Sequence, residues 1–157
     1  MENENQELIV KEEESNVMDL NSFRKKSSSE VGTFSNIQDS KELFNLSNNV
    51  DFKLNDVVGE KIRFNKVLIR RYEKKLEEPI VNEETGEVIE SEIKISCVIV
   101  SVDGKSYATG SKMFTYKLLN YLVDCGGASD LAKEGVEIEI VKNPTPNGNK
   151  SLGFKVL

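Results

Sequence analysis

The sequence predicts a mainly β domain in which one helix separates the third strand from the fourth. Runs rich in β-branched residues succeed one another from residue 56 to the C-terminus. The tight-turn dipeptide Asp103–Gly104 joins two of these runs. Only one segment among them has the spacing of an amphipathic helix. The 157 residues suffice for one such domain and a tail, but not for two full cores.

The N-terminal part of the chain differs from the rest in composition. Residues 1–35 predict a disordered acidic and polar tail, because charged and Ser-rich stretches alternate there with few apolar side chains. The predicted domain spans residues 36–157. It begins with a short helix near residues 39–46, for which Asp39 or Ser40 is the expected N-terminal cap, with Glu42 in support. The main strands follow over residues 56–157.

The first of these strands shows a change of alternation. Ile62 and Phe64 are apolar at a spacing of two, and Val67 and Ile69 then continue the pattern shifted by one residue. A shift of this kind is typical of a β-bulge in a long, bent strand.

The remaining elements follow in order. Residues 76–91 predict an exposed hairpin. Residues 92–102, rich in β-branched side chains and apolar on both faces in their second half, predict a central strand. After a short third strand, Ser111 is placed to cap a helix that Gly126 ends. Alternation from Val136 predicts the fourth strand, and residues 151–157 predict the fifth.

Three strands, one helix and two strands is the order of the oligonucleotide/oligosaccharide-binding (OB) fold, a five-stranded barrel. A ferredoxin-like sandwich would need two helices, and this region predicts one. The ligand face of an OB barrel includes the second and third strands and the loops that join strands one to two and four to five. In this chain those loops are residues 76–91 and 143–150.

Charge is unevenly distributed along the sequence. The net charge is −6, from 21 Lys and Arg against 27 Asp and Glu. Residues 77–92 carry seven carboxylates and no basic side chain, whereas the rest of residues 51–157 has a net charge of +6. A basic surface is therefore predicted within an acidic average.

Several function classes lack the residues they need. The chain has no histidine, the commonest general base and metal ligand, and its two cysteines cannot build a disulfide framework. It has no phosphate-binding loop of the GxxxxGK[ST] type. The sequence thus predicts a protein without catalytic activity, cofactor or metal. No apolar run has the length of a membrane span and no signal peptide opens the chain, so a cytoplasmic location without membrane association is expected.

Three stretches carry a resemblance to a known family. They are NDVVGEKIRFNKVLIRRYEKK (55–75), EETGEVIESEIKISCVIVSVDGKSYATGSKMF (83–114) and EIEIVKNPTPNGNKSLGFKVL (137–157). From Thr33 to Leu157 the chain resembles the single-stranded DNA-binding proteins of bacteriophages and plasmids of Gram-positive bacteria. The resemblance implies an OB fold and non-catalytic coating of single-stranded DNA in phage or plasmid replication. The host bacterial cytoplasm would then be its location.

The resemblance also bears on partners. It implies single-stranded DNA and, through replication, other replication proteins, and the edges of a barrel leave homo-oligomers open. Ordinary bacterial single-strand binders end in an acidic tip that recruits partners. This chain instead ends in the apolar strand GFKVL and carries acidic residues at its N-terminus.

Binding a single strand without reading its sequence requires cations along the phosphates and flat side chains under the bases. Tyr72 and Tyr107 are the predicted stacking platforms, and the basic side chains of the first strand and its neighbours are the predicted cations. The complete predicted DNA-binding set is Arg63, Lys66, Arg70, Arg71, Tyr72, Lys74, Lys94, Tyr107, Lys112, Lys142 and Lys150.

These residues also admit structural roles. A basic run on an edge strand can serve only to prevent aggregation, and both tyrosines could be half-buried barrel residues. Phe64, Phe114 and Phe154 are predicted core residues, and Cys97 a buried small hydrophobe.

A second function is compatible with the charge distribution. A protein–protein adaptor, or an inhibitor that imitates DNA towards a host factor, would also use acidic surface. The net charge of −5 in residues 1–50 further predicts that the tail competes with DNA for the basic face.

Overall fold

The computed structural model describes residues 31–157. Residues 1–30, most of the predicted tail, lie outside the described residues. The strands are β1 (Gly32–Ser35), β2 (Phe52–Lys53), β3 (Lys61–Val81), β4 (Val88–Ser101), β5 (Ser106–Thr109), β6 (Val136–Pro144) and β7 (Lys150–Val156). The helices are α1 (Ser40–Asn48), α2 (Lys112–Asp124) and α3 (Gly127–Lys133), with a 3-10 turn at Leu54–Val57.

All seven strands belong to one sheet, so the fold is mainly β, as predicted. The strand order is β2-β5-β4-β3-β6-β7, and β1 pairs with β3 outside this path. Only the β2–β5 pair is parallel in the described chain. No helix of residues 31–157 is long and apolar enough to cross a membrane.

A closed five-stranded barrel with one helix is not confirmed. In the described residues the sheet is open, with seven strands and three α-helices. The elements that the sequence did not predict are β1, β2 and α3, each seven residues or shorter. Elements this short have no periodicity of their own and depend on tertiary contacts for stability.

The N-terminal boundary differs from the prediction as well. Gly32–Ser35, assigned from the sequence to the disordered tail, form β1 and pair with Leu68–Arg71 of β3. The Ser35 hydroxyl donates to the Val67 carbonyl oxygen at 2.7 Å, which holds this strand end on β3.

Strand β3 organises the sheet, and its predicted bulge is confirmed. The register between β3 and β4 shifts between Phe64 and Lys66. Ile62 and Phe64 are buried before the shift, and Val67 and Ile69 after it. Before the bulge β3 pairs with β6, and beyond it β1 takes that side.

The main core fills the space between the sheet and α2. Phe64 and Phe114 are fully buried, and half-buried Phe154 packs edge-to-face on Phe114 with 5.1 Å between ring centroids. Cys97 is also fully buried. These four residues therefore have the core positions that the sequence predicts. The Ser111 hydroxyl accepts from the Phe114 amide at 3.2 Å, which confirms the predicted α2 cap.

The opposite face of the sheet carries α1 over a smaller apolar cluster. That cluster consists of Ile37, Leu46, Leu68, Val98 and Val100. Asp39 caps α1, because its Oδ1 accepts from the Lys41 amide at 3.0 Å. Glu42, predicted to support this cap, instead accepts a hydrogen bond from Lys66 Nζ at 2.7 Å. The ion pair thus joins α1 to β3.

The predicted hairpin extends beyond the body of the sheet. We call residues 77–92, which include the ends of β3 and β4 and their turn, the acidic arm. Its turn is closed by Asn82, whose carbonyl oxygen accepts from the Gly86 amide at 2.7 Å. Pro79 lies within a second register shift, between Lys75 and Ile80. Since proline has no N–H to donate, an irregularity is a suitable place for it in a paired strand.

Candidate nucleic-acid interface

The basic run of β3 is divided between the two faces of the sheet. Successive side chains of a strand point to opposite faces. Arg70 and Tyr72 share the face of Leu68, on which α1 packs, whereas Arg71 belongs to the opposite face. Arg71 is 3% exposed. The run predicted as one track is therefore two sets of residues.

A groove lies on the α1 face of the sheet, with a volume of about 380 Å³. We call it the β3–β5 groove, because strands β3, β4 and β5 form its floor and the end of α1 forms its wall. Its apolar lining includes Leu46, Val50, Leu68, Val98 and Ala108, and its polar lining Ser47, Asn48, Arg70, Tyr72 and Ser96. A floor that is apolar with a cationic end suits a ligand that combines flat rings with negative charge.

The cationic end of the groove is formed by Arg70 and Tyr72. The guanidinium carbon of Arg70 lies 5.6 Å from the centroid of the Tyr72 ring, which is within cation–π distance. Both side chains are half-buried. Within residues 31–157 no carboxylate pairs with Arg70. The charge of Arg70 is therefore available to a ligand in the groove.

Two lysines extend the positive charge towards the acidic arm. Lys94 lies directly opposite Tyr72 in the β3–β4 ladder, and Lys74 lies opposite Glu92. Lys94 Nζ is 3.2 Å from Glu92 Oε1, and both side chains are nearly half exposed. An exposed pair of this kind contributes at most about 1 kcal/mol, so a phosphate could displace it.

Lys66 is on the same face but has a different environment. Its ammonium contacts the Glu42 carboxylate of α1 at 2.7 Å. The sequence placed Lys66 on the binding track, and the structure gives it a role in holding α1 on the sheet.

The structure places two predicted residues in the core. Arg71 lies with its guanidinium carbon 5.8 Å from the Tyr116 ring centroid. Tyr107 is 8% exposed and stacks on Phe52 with 5.3 Å between ring centroids. Burial, followed by the nearby carboxylates of Asp103, Glu60 and Asp51, raises the pKa of Tyr107. Neither Arg71 nor Tyr107 lines the β3–β5 groove.

Four other predicted cations lie outside the groove. Arg63 donates to the Glu134 carbonyl oxygen at 3.2 Å and borders a separate cavity of about 410 Å³. Lys142 donates to Asn55 Oδ1 at 3.1 Å. Lys112 is the exposed first residue of α2, and Lys150 the exposed first residue of β7. Of the eleven predicted residues, the structure brings Arg70, Tyr72, Lys74 and Lys94 together.

The groove also uses residues that the sequence did not predict. Leu46, Ser47, Asn48 and Val50 form its α1 wall. Their spacing indicates only that α1 is amphipathic. That this helix crosses the open face of β3, β4 and β5 depends on tertiary packing, for which the sequence has no local signal.

Other chemistry has few candidates in the described part of the chain. Residues 31–157 contain no group of three or more Asp, Glu or Cys side chains placed to hold a metal ion. Burial raises the pKa of the Cys97 thiol to about 12, which makes it a poor nucleophile at neutral pH.

Comparison of the chain with the profiles of protein families, with curated protein sequences and with solved structures found no match.

Proposed function

We propose that this protein binds single-stranded DNA without catalysis, in the β3–β5 groove, and coats it during phage or plasmid replication. The observation that carries this proposal is the Arg70–Tyr72 pair at an open groove, flanked by Lys74 and Lys94 on the same face. An arginine stacked on an aromatic ring offers a base a flat platform and a phosphate a cation. This arrangement suits a strand whose sequence is not read.

The strand pairing supports an OB-like arrangement as part of the proposal. Strands β5-β4-β3-β6-β7 are adjacent in that order, with α2 and α3 between β5 and β6 in the chain. An OB fold is a partly open five-stranded barrel whose ligand face includes its second and third strands. In that interpretation β4 and β5 are those strands, and both contribute to the floor of the groove.

The charge of the groove is the second support. The acidic residues that dominate the net charge lie in the acidic arm and in residues 1–50, whereas Arg70 lines the groove. Lys74 and Lys94 flank it on the same face, Lys94 with its Glu92 partner. Localised positive charge attracts a polyanion even when the net charge of the protein is negative. Replication proteins would be further partners of a protein with this function.

The test is a fluorescence-anisotropy titration of labelled oligo-dT and of a matched duplex at two salt concentrations. The proposal expects tight oligo-dT binding that weakens with salt, and much weaker duplex binding. Absence of oligo-dT binding at low salt would refute it. An adaptor or DNA-mimicking function, favoured by the acidic arm, would then be the better interpretation.

A further inference from the structure

The acidic arm exposes an unusual combination of side chains. Ile80 pairs with Ile89 across its two strands, and Val81 pairs with Val88. All four are between 43% and 57% exposed. Residues directly opposite each other in a ladder point to the same face of it. The isoleucine pair therefore lies on one face of the tip and the valine pair on the other, among the carboxylates. Exposed apolar clusters with a polar rim are typical of interaction sites.

The arm has little support from the rest of the chain. Between Lys75 and Ser91 the chain forms the outer ends of β3 and β4. In the described residues these ends pair only with each other. A two-stranded ladder alone in water is marginally stable. Contact with a partner surface would bury the apolar pairs and stabilise the ladder.

The same chain provides a surface of complementary chemistry. The β3–β5 groove has an apolar floor and Arg70 in its lining, and Lys74 and Lys94 continue the positive charge beside it on the same face of the sheet. The acidic arm has an apolar tip and seven carboxylates. Apolar surface would meet apolar surface, and cations would meet carboxylates. This complementarity does not depend on whether the groove also binds DNA.

The arm cannot fill the groove of its own molecule while β3 stays extended. Both features lie on one strand, and a strand rises about 3.3 Å per residue, so Val81 is about 20 Å beyond Lys75. The arm thus leads away from the groove at its base. A pairing between two arms would bring like charges together, which disfavours it. The groove of another molecule is the remaining site of matching charge.

We propose that the acidic arm of one molecule docks into the β3–β5 groove of a second copy of this chain. The contact is heterologous, because each molecule offers an arm to one neighbour and a groove to another. Such contacts propagate into rings or chains of molecules.

The test uses the full chain without nucleic acid, in sedimentation velocity over a range of concentrations. The proposal expects concentration-dependent association at low salt that decreases as salt screens the charges. The arm variant is Glu87→Lys with Glu90→Lys, and the groove variant is Lys74→Glu with Lys94→Glu. These four side chains are at least partly exposed, and circular dichroism verifies the fold of each variant.

Each variant alone should associate more weakly than the parent, by about tenfold or more. The arm variant loses more than half of the negative charge of its arm, and the groove variant puts carboxylates where the acidic arm would dock. A mixture of the two variants should associate again, as pairs, since the unaltered arm of the groove variant meets the unaltered groove of the arm variant. The control matched to the groove variant is Lys133→Glu with Lys155→Glu. It makes the same change of net charge at exposed positions outside both surfaces and should associate as the parent does.

Three results would overturn the proposal. The parent chain could remain monomeric at low salt throughout the concentration range. The arm variant could associate more strongly than the parent, which is the behaviour expected of pairing between arms. The mixture could fail to associate. None of these results bears on oligo-dT binding, so failure here is distinguishable from failure of the proposed function.

Discussion

The guanidinium of Arg70 lies over the ring of Tyr72, two residues further along β3, at 5.6 Å from its centroid. The two side chains share a face because residues at a spacing of two in a strand point the same way. Both are half-buried beside the apolar floor of the groove, which limits their freedom before any ligand arrives. Less rotamer entropy is then lost on binding.

Replacement of Tyr72 by alanine should weaken oligo-dT binding by about 5- to 150-fold, which corresponds to the roughly 1–3 kcal/mol of one base–aromatic stack. Anisotropy titration at fixed salt measures the change. The matched control is Phe44→Ala, which removes an aromatic side chain that is 67% exposed on α1 and does not line the groove. An equal loss in both variants would contradict a specific role for Tyr72.

The salt dependence should identify the lysines that contact phosphates. Each phosphate contact on a single strand contributes about 0.7 to the slope of log K against log salt. Lys74→Gln with Lys94→Gln should therefore make the slope shallower by about 1.4. Lys142→Gln with Lys150→Gln, two cations outside the groove, should leave it unchanged. If the second pair changed the slope instead, the phosphate path would follow β6 and β7.

Tyr107 should affect stability at alkaline pH and not DNA binding. Burial raises its pKa in the folded state, so the folded protein favours the neutral phenol. This contribution to stability is fully present below the tyrosine pKa of about 10 in the unfolded chain. It is lost as pH rises through the higher pKa of Tyr107 in the folded protein. Tyr107→Phe should reduce the fall of Tm between neutral and alkaline pH, with unchanged oligo-dT affinity at neutral pH. A large loss of oligo-dT affinity in Tyr107→Phe would instead indicate that the Tyr107 hydroxyl contributes to DNA binding.

The two cysteines should differ in reactivity. Cys97 is fully buried, with its thiol pKa raised to about 12, and Cys125 is exposed. A thiol reagent such as DTNB should modify one cysteine in the native protein and both in denaturant. Cys125→Ser should leave no reactive thiol in the native state. Rapid reaction of Cys97 without denaturant would show that this part of β4 opens readily.

Removal of residues 1–30 should tighten oligo-dT binding at low salt, because the first 50 residues have a net charge of −5 and would compete for the cations. At high salt the parent and the truncated chain should converge, since screening weakens the competition. Equal affinities at low salt would exclude the competition.

The sequence by itself determined the features that depend on neighbours along the chain. The alternation of apolar and polar residues indicates the long strands, and the shift of this alternation after Phe64 locates the bulge. Ser111 is predictable as a cap, and Asp39 as one of two candidates, because a cap's side chain bonds to an amide two or three residues away. Such interactions involve short segments, so their signal lies in the local order of residues.

The tertiary structure alone decided which candidate residues share a site. Arg70 and Arg71 are adjacent in the sequence, yet one lines the groove and the other is buried against Tyr116. A one-residue change of register exchanges the two faces of a strand, so composition could not separate them. Lys66 pairs with Glu42, 24 residues earlier, only because α1 packs across the sheet. Contacts between residues distant in the chain follow from packing as a whole, and for that reason the groove emerges only in the folded molecule.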